Sequence, residues 1–271
     1  MDPRIRCVAV DLETTGLIPG HDRIVEIGAV AFSPAGGVEA EFSELVNPGI
    51  PIPRPASRVS GITDDMVRDR SPVAEVLPAF LAFLGNAVPV AHNAAFDVGF
   101  LAADTARLAL AAPATPVVDT RALARAVFPG RRSYSLESLC RDTGLAAGSA
   151  HRGLADAHSC RMLFLACLER LAAAGARTGP ADLAAVGGPV IDLAARAPAA
   201  LATVVDLSRA IEGGADVEIA YESARRERTL RRIQPLSFAI VGGSPAVVAF
   251  CRLRGERRTF LVDSIREIRA V

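Results

Sequence analysis

The chain has 271 residues, 51% of them hydrophobic, and its 30 acidic residues balance 30 basic residues, all of which are arginine. This is enough apolar material for one large domain or two smaller ones, and neither a disulfide framework nor a zinc site is indicated, because the five cysteines are widely spaced and form no C-x-x-C pair. Charged residues break every apolar run well before the roughly 20 residues that a membrane helix needs, and no signal-like stretch opens the chain, so we expect a cytoplasmic protein with no membrane association.

The first part of the chain alternates strand-like and helix-like segments. Apolar and β-branched runs at 5–12, 24–32 and 38–46 are separated by turn-forming residues, which predicts an antiparallel meander. Ser71-Pro72 then predicts the start of a helix that ends near Leu84.

Short buried strands and helices alternate after that point. The strand VPVAH precedes a helical pattern at 94–110, PVVDT precedes two further helical stretches, and the longest helix candidate spans 153–174. This order predicts an α/β domain, residues 1–175, in which helices flank a mixed sheet.

Composition changes after residue 175. Residues 176–203 are rich in Ala, Gly and Pro, which predicts a linker with one weak helix. Residues 204–271 follow as a helix and several strands, which predicts a small β-barrel-like domain. The basic charge is concentrated there, since residues 201–271 carry 12 Arg against 9 acidic residues whereas residues 1–175 carry 16 against 19.

Two carboxylates stand at the end of the first strand, in VAVDLETTGL. Side chains two apart on a strand point to the same face, so Asp11 and Glu13 converge and repel each other. A cation between them would relieve the repulsion, which indicates a site for a hard divalent metal. A lone D-x-E is more often a solvated strand end, so further carboxylates are needed to favour the metal.

Asp97 supplies a third carboxylate. It lies near the start of the predicted helix that follows the short apolar strand VPVAH. Ligands collect in the crevice beyond such strand ends in α/β sheets. An acidic residue in a first helical turn is also favoured by the helix dipole alone, but the preceding polar pair His92-Asn93, between apolar segments, favours a functional site.

The segment HRGLADA completes the set with His151 before the longest helix and Asp156 in its first turns. Each residue has a structural alternative, a loop histidine and a helix-start charge. Together with Asp11, Glu13 and Asp97, they suit two Mg²⁺ or Mn²⁺ ions and a base that activates water.

These motifs resemble those of the DEDD-type 3′–5′ exonucleases of the histidine subclass, similar to the epsilon proofreading subunit of bacterial DNA polymerase III and to ribonuclease T. DLETTGL, HNAAFDVGFL and HRGLADA match the three family motifs in order and spacing over residues 5–170. The resemblance implies a ribonuclease-H-like fold and the release of nucleoside 5′-monophosphates from single-stranded DNA or RNA 3′ ends.

The resemblance also implies roles for individual residues. The metal ligands are Asp11, Glu13, Asp97 and Asp156, and the general base is His151, whose ordinary pKa near 6.5 suits proton transfer at neutral pH. Contacts to the terminal nucleotide are implied for three residues: Thr14, Leu17 and Asn93.

The C-terminal segments resemble a WYL domain, an Sm-like barrel found in bacterial regulators. Arg231, Pro235 and Arg258 fall at matching places, whereas Pro245-Ala246-Val247 replaces the tripeptide that names the family and Ser264 replaces a usual arginine. We expect Arg231 and Arg258 to contact a nucleic-acid backbone, and an ordinary solvated surface is an equal alternative.

Two other functions are compatible with these residues. One is a non-catalytic regulator that uses the nuclease fold and the WYL-like domain to sense nucleic acids. The other is a proofreading subunit bound to a DNA polymerase, although no recognisable clamp- or polymerase-binding peptide is present. The sequence predicts neither the choice between DNA and RNA nor an oligomeric state.

Overall fold

The computed structural model of the protein describes residues 1–35, 37–111, 113–145, 152–186, 191–193, 199–223, 226–241 and 244–271. The chain divides into two compact units, Met1–Gly16 with Arg23–Arg196 and Leu17–Asp22 with Ala197–Val271. The short segment Leu17–Asp22 therefore belongs to the second unit.

A mixed sheet forms the centre of the first unit. Its strands are β1 (Cys7–Thr14), β2 (Ile24–Phe32), β3 (Val38–Leu45), β4 (Val88–Ala91), β5 (Pro116–Asp119) and β6 (Ile191–Asp192). They lie in the order β3-β2-β1-β4-β5-β6, in which β1, β4 and β5 are mutually parallel neighbours and the other pairs are antiparallel. The predicted meander and the predicted mixed sheet are confirmed.

Helices cover both faces of this sheet, as predicted. Those described are α1 (Arg54–Ser60), α2 (Asp64–Val67), α3 (Val73–Leu84), α4 (Ala95–Arg107), α5 (Thr120–Val127), α6 (Leu136–Thr143), α7 (Gly153–Ala173) and α8 (Pro180–Ala184). α3 begins one residue later than the sequence indicates, because Pro72 is extended and bridges to Asn47. None of the helices in the described ranges combines the length and the apolar character needed to cross a membrane.

The alternation of side chains along β1 decides which face carries its acidic residues. Val8 and Val10 pack with side chains of α3 and α4, whereas Cys7 and Ala9 pack with those of α7. Asp11 has the same parity as Cys7 and Ala9, so its side chain lies on the face that α7 covers.

Part of the interval 176–203 is folded onto the first unit. α8 buries Leu183 in the core beside α7, and β6 pairs with β5. These elements have only five and two residues, too few to show an apolar period in the sequence.

The second unit contains α9 (Ala199–Gly213) and the strands β7 (Val217–Glu222), β8 (Arg228–Val241), β9 (Ser244–Cys251), β10 (Glu256–Leu261) and β11 (Ile265–Ala270). The strands form one antiparallel sheet in the order β10-β9-β8-β7-β11. Its core joins Leu207 of α9 to Ile219, Ile233 and Phe260 of the sheet, and includes Ile18 from the short segment. The predicted helix followed by a small sheet is confirmed.

Candidate active site

Three carboxylates converge at the end of β1. The side-chain oxygens of Asp11, Glu13 and Asp156 lie within 4.8 Å of one another, and all three residues are partly exposed. Mg²⁺ and Mn²⁺ prefer oxygen ligands of this kind. The residues present therefore fit a divalent cation.

Asp156 reaches β1 because α7 begins in direct backbone contact with the sheet. Gly28, the partner of Asp11 across the β1–β2 ladder, faces Gly153, the first residue of α7. A Cβ placed on Gly28 would lie 1.9 Å from the carbonyl carbon of Gly153, and one on Gly153 would lie 3.2 Å from the carbonyl oxygen of Asp11. Only glycine permits this approach, which brings the first turn of α7, and with it Asp156, to the strand end.

A further acidic residue, Glu26, was missed by the sequence interpretation and anchors the same helix. Glu26 is buried, accepts a hydrogen bond from the backbone N–H of Gly153 at 2.8 Å, and forms a salt bridge with Arg152 at 2.8 Å. The negative carboxylate also complements the positive end of the helix dipole. One signal was available, because Glu26 is an acidic residue inside the otherwise apolar strand IVEIGAVAF.

Asp97 lies beside this cluster and binds the backbone of β1. Its side chain is 3% exposed, and Oδ1 accepts a hydrogen bond from the backbone N–H of Leu12 at 3.1 Å. That N–H lies beyond the three-residue ladder between β1 and β4, so it has no strand partner on that side. The first turn of α4 thus fixes Asp97 between the strand ends.

Burial and mutual repulsion raise the pKa values of these carboxyl groups. Burial raises the pKa of Glu13 from 4.5 to about 7, the charges of Asp156 and Glu26 add to the shift, and Arg152 opposes it. The pKa of Asp11 lies well above its ordinary value because of burial, and then because of the charges of Asp97 and other neighbouring acids. Burial also raises the pKa of Asp97. A cation would favour the ionised form of each group.

Polar residues after β4 and β5 support the edge next to Asp97. His92 is bonded on both sides, by Nδ1 to the Thr120 hydroxyl and by Nε2 to the Tyr134 carbonyl, each at 2.9 Å. Burial lowers the pKa of His92, so the ring is neutral at pH 7 and Nε2–H donates to the carbonyl oxygen. Asn93 adopts a left-handed backbone conformation (φ 66°), and its N–H donates to Asp119 Oδ1.

The other residues singled out in the sequence have varied environments. Thr14 is buried, and its hydroxyl donates to the Gly16 carbonyl at 2.6 Å. Leu17 is 60% exposed and lies in the segment that belongs to the second unit. Asn93 is exposed, and its Oδ1 accepts from Arg121. His151 lies outside the described residues, so its proposed role stays a prediction.

Arginines of the second unit are partly neutralised by acidic neighbours. Asp216 pairs with Arg232 and Arg252, and Glu222 pairs with Arg228 and Arg266. The two arginines singled out in the sequence differ from each other. Arg231 is half-buried and donates to the Thr229 hydroxyl, whereas Arg258 is exposed and pairs with Glu256 at 3.4 Å.

Substitution of Gly28 by Ala tests the backbone contact that positions Asp156. The added methyl group must push α7 away, so we expect the free energy of unfolding to fall by roughly 1–3 kcal/mol and the affinity for Mn²⁺ to fall with it. Denaturation with urea and calorimetric titration with Mn²⁺ provide the two measurements. Gly37→Ala is the matched control, because a Cβ there meets no atom within 4 Å. Wild-type stability and Mn²⁺ affinity in Gly28→Ala would contradict this role.

The raised pKa of Glu13 predicts how the stability of the metal-free protein depends on pH. Between pH 4.5 and about 7, the folded state binds more protons at this group than the unfolded state does. The free energy of unfolding in a chelator should therefore fall as the pH rises through this interval. Asp11 and Asp97 act in the same direction.

Urea denaturation at a series of pH values in EDTA measures this dependence. Glu13→Gln should flatten it, whereas Asp69→Asn, at an exposed acidic residue of the same unit, should leave it unchanged. A free energy of unfolding that rises over the interval, or a slope that Glu13→Gln does not alter, would refute the interpretation.

Comparison with known proteins identifies the two parts of the chain. Residues 8–164 match the RNase T family model described as "Exonuclease", and residues 202–270 match the WYL domain model. The chain is 44% identical to DNA polymerase III subunit epsilon of Treponema pallidum over 158 residues, which cover 58% of this chain and 73% of that protein. It is also 40% identical to the PolC-type DNA polymerase III of Thermotoga petrophila over 164 residues. These residues cover 60% of this chain and 12% of that polymerase. This chain therefore spans only a small part of the PolC-type relative.

Solved structures agree on the fold. The structure of exonuclease X in complex with 5′ overhanging duplex DNA has a TM-score of 0.52 and 28% identity, covering 68% of this chain and 99% of that one. A 3′-exonuclease that recognises a histone mRNA stem-loop has a TM-score of 0.55 at 16% identity, covering 71% of this chain and 92% of that one, and it shows the fold alone. The chain belongs to the exonuclease family, is similar to the epsilon subunit of DNA polymerase III, and carries a WYL domain in its C-terminal part.

Proposed function

We propose that the protein is a metal-dependent 3′–5′ exonuclease that hydrolyses the terminal phosphodiester bond of a nucleic-acid strand and releases nucleoside 5′-monophosphates. The observation that carries this proposal is the convergence of Asp11, Glu13 and Asp156, with oxygens within 4.8 Å of one another, beside the buried carboxyl of Asp97. Four acids so close together are costly to ionise without cations.

In this proposal the four carboxylates hold two Mg²⁺ or Mn²⁺ ions. Such ions, when bound, activate the attacking water and offset the negative charge that develops on the phosphate. Asp11 is central, because, besides burial, which raises its pKa most, the charges of Asp97, Asp156 and Glu13 all act on it. Asp97 keeps its position through the hydrogen bond that its Oδ1 accepts from Leu12 N–H, and it is proposed to assist a cation directly or through water.

His151 is proposed as the general base. It immediately precedes Arg152, whose salt bridge to Glu26 fixes the chain at the entrance to α7. A histidine with an ordinary pKa near 6.5 can accept the proton of the attacking water at neutral pH.

Three residues singled out by the family motifs are proposed to receive the terminal nucleotide. Leu17 offers an exposed apolar side chain on which a base can pack, and Asn93 offers an exposed amide. Thr14 is proposed to act through its backbone, or through its hydroxyl once that group rotates away from the Gly16 carbonyl to which it is bonded.

The WYL domain is proposed as an accessory nucleic-acid-binding module. Arg231 and Arg258 are the proposed contacts to phosphates, because they fall at the matching places of the WYL family and lie outside the clusters at Asp216 and Glu222, although Arg258 also pairs with Glu256. In functional terms we divide the chain into an exonuclease domain (residues 1–175), a linker region (176–203) and this module (204–271).

A DNA polymerase is the proposed protein partner, because the curated relatives carry polymerase III names. Co-purification with a replicative polymerase tests that part of the proposal. A cytoplasmic location stays a prediction from the sequence.

Digestion of 3′- and 5′-labelled DNA and RNA strands with Mg²⁺ tests the proposed activity. We expect a 5′-labelled strand to shorten stepwise, a 3′-labelled strand to release a labelled mononucleotide at once, and EDTA to stop both. Asp11→Asn should lower the rate by about 10³-fold or more, because it removes a carboxylate shared by the cations.

Asp69→Asn is the matched control, since it removes an exposed carboxylate of the same unit, and its rate should equal that of the wild type. Cleavage that survives EDTA, or full activity in Asp11→Asn, would refute the proposal. Strand binding with no cleavage under any of these conditions would instead support the non-catalytic regulator.

A further inference from the structure

A second polar cleft lies at the same edge of the sheet as the carboxylates. Its volume is about 490 Å³, and three arginines line it together with Asn93 and Tyr134: Arg121, Arg125 and Arg132. Neither the sequence motifs nor the proposed mechanism uses these arginines.

The arginines are held in place by neutral groups. Arg121 Nη1 donates to Asn93 Oδ1 at 2.9 Å, and the guanidinium of Arg125 lies 5.5 Å from the ring centre of Tyr134. Arg132 is exposed. Within the described part of the chain, none of the three forms a salt bridge, and the buried Nε of Arg121 has no hydrogen-bond partner.

The acidic residue nearest to them in the sequence is already engaged. Asp119 Oδ1 accepts hydrogen bonds from the backbone N–H groups of Asn93, Arg121 and Ala122, and it caps α5. Asp119 forms no salt bridge with the three arginines in the described part of the chain, so one carboxylate faces three guanidinium groups and the cleft is net positive, in contrast to the second unit, where acidic residues pair with several arginines. Positive charge without an internal partner favours an anionic ligand.

The cleft follows the carboxyl ends of β4 and β5, whereas Asp11 lies near the carboxyl end of β1. These strands are parallel neighbours in the order β1-β4-β5, about 4.8 Å apart from one to the next. The cleft therefore lies roughly 5–10 Å along the sheet edge from the carboxylates. Successive phosphates along one strand are farther apart than the axial rise of about 3.4 Å in a duplex, so that distance corresponds to one or two nucleotides.

We propose that Arg121, Arg125 and Arg132 bind the phosphodiester backbone of the substrate strand, one or two nucleotides on the 5′ side of the bond that is cleaved. Guanidinium groups suit this ligand because their planar N–H donors match phosphate oxygens. This role rests on the proposed exonuclease function, and it explains how a strand is held beside an acidic cluster that by itself repels nucleic acid.

Binding of a fluorescein-labelled single strand in EDTA tests the cleft without cleavage. Arg125→Gln and Arg132→Gln should each raise the Kd about 10-fold and lower the slope of log Kd against log salt by about one, because each removes one phosphate contact. Arg70→Gln removes an exposed arginine of the same unit outside the cleft and should bind as tightly as the wild type. Unchanged Kd values for both cleft variants, or an equal loss in Arg70→Gln, would overturn the assignment.

A second substrate separates this inference from the proposed function. The p-nitrophenyl ester of thymidine 5′-phosphate contains a cleavable phosphodiester but no upstream strand. Arg132→Gln should lower the ratio of kcat/KM on the strand to kcat/KM on the ester by about 10-fold. An unchanged ratio would overturn the cleft assignment, whereas a wild type that cleaves neither substrate with Mg²⁺ would refute the nuclease activity and leave the binding result to decide the cleft.

Discussion

Repulsion among Asp11, Glu13 and Asp156 is the constraint on which the rest of the first unit depends. Oxygens no more than 4.8 Å apart repel, when both are ionised, by about 3 kcal/mol or more for each pair at an effective dielectric constant near 20. Contacts between protein groups keep these three side chains together even without a cation. The Gly28–Gly153 backbone contact and the salt bridge from Glu26 to Arg152 hold α7 against β2, which pairs with β1, so the acids cannot separate to relieve the charge.

The sheet edge thus carries a negatively charged region and a positively charged region. The end of β1 is negatively charged, while α5 and the segment after it carry three arginines, two of which contact an amide (Arg121) and an aromatic ring (Arg125). A nucleic-acid strand is attracted by the second region and repelled by the first until cations arrive. The neutral His92, bonded to Thr120 and Tyr134, joins these segments without adding charge.

Much of this arrangement was predictable from the sequence because it depends on local rules. The alternation of side chains places Asp11 and Glu13 together, and the helical pattern after residue 153 places Asp156 in a first turn. The stabilising contacts were missed because they join distant parts of the chain, such as Glu26 and Arg152, which are 126 positions apart. α8 and β6, within residues 176–203, were missed for a different reason. They have only five and two residues, so neither shows a repeating pattern of apolar residues in the sequence. The arginine cleft went unnoticed because its residues are not consecutive and come together only when α5 and the segment 132–136 fold beside His92 and Asn93.

The most direct test of the central claim is calorimetric titration of Mn²⁺ at neutral pH in buffers of different ionisation enthalpy. If cations relieve a repulsion that keeps the carboxyl groups partly protonated, binding must release protons, and the observed enthalpy will change with the buffer. We expect this release in the wild type and a weaker affinity with less release in Asp11→Asn. Binding that releases no protons, or that is as tight in Asp11→Asn as in the wild type, would contradict the account.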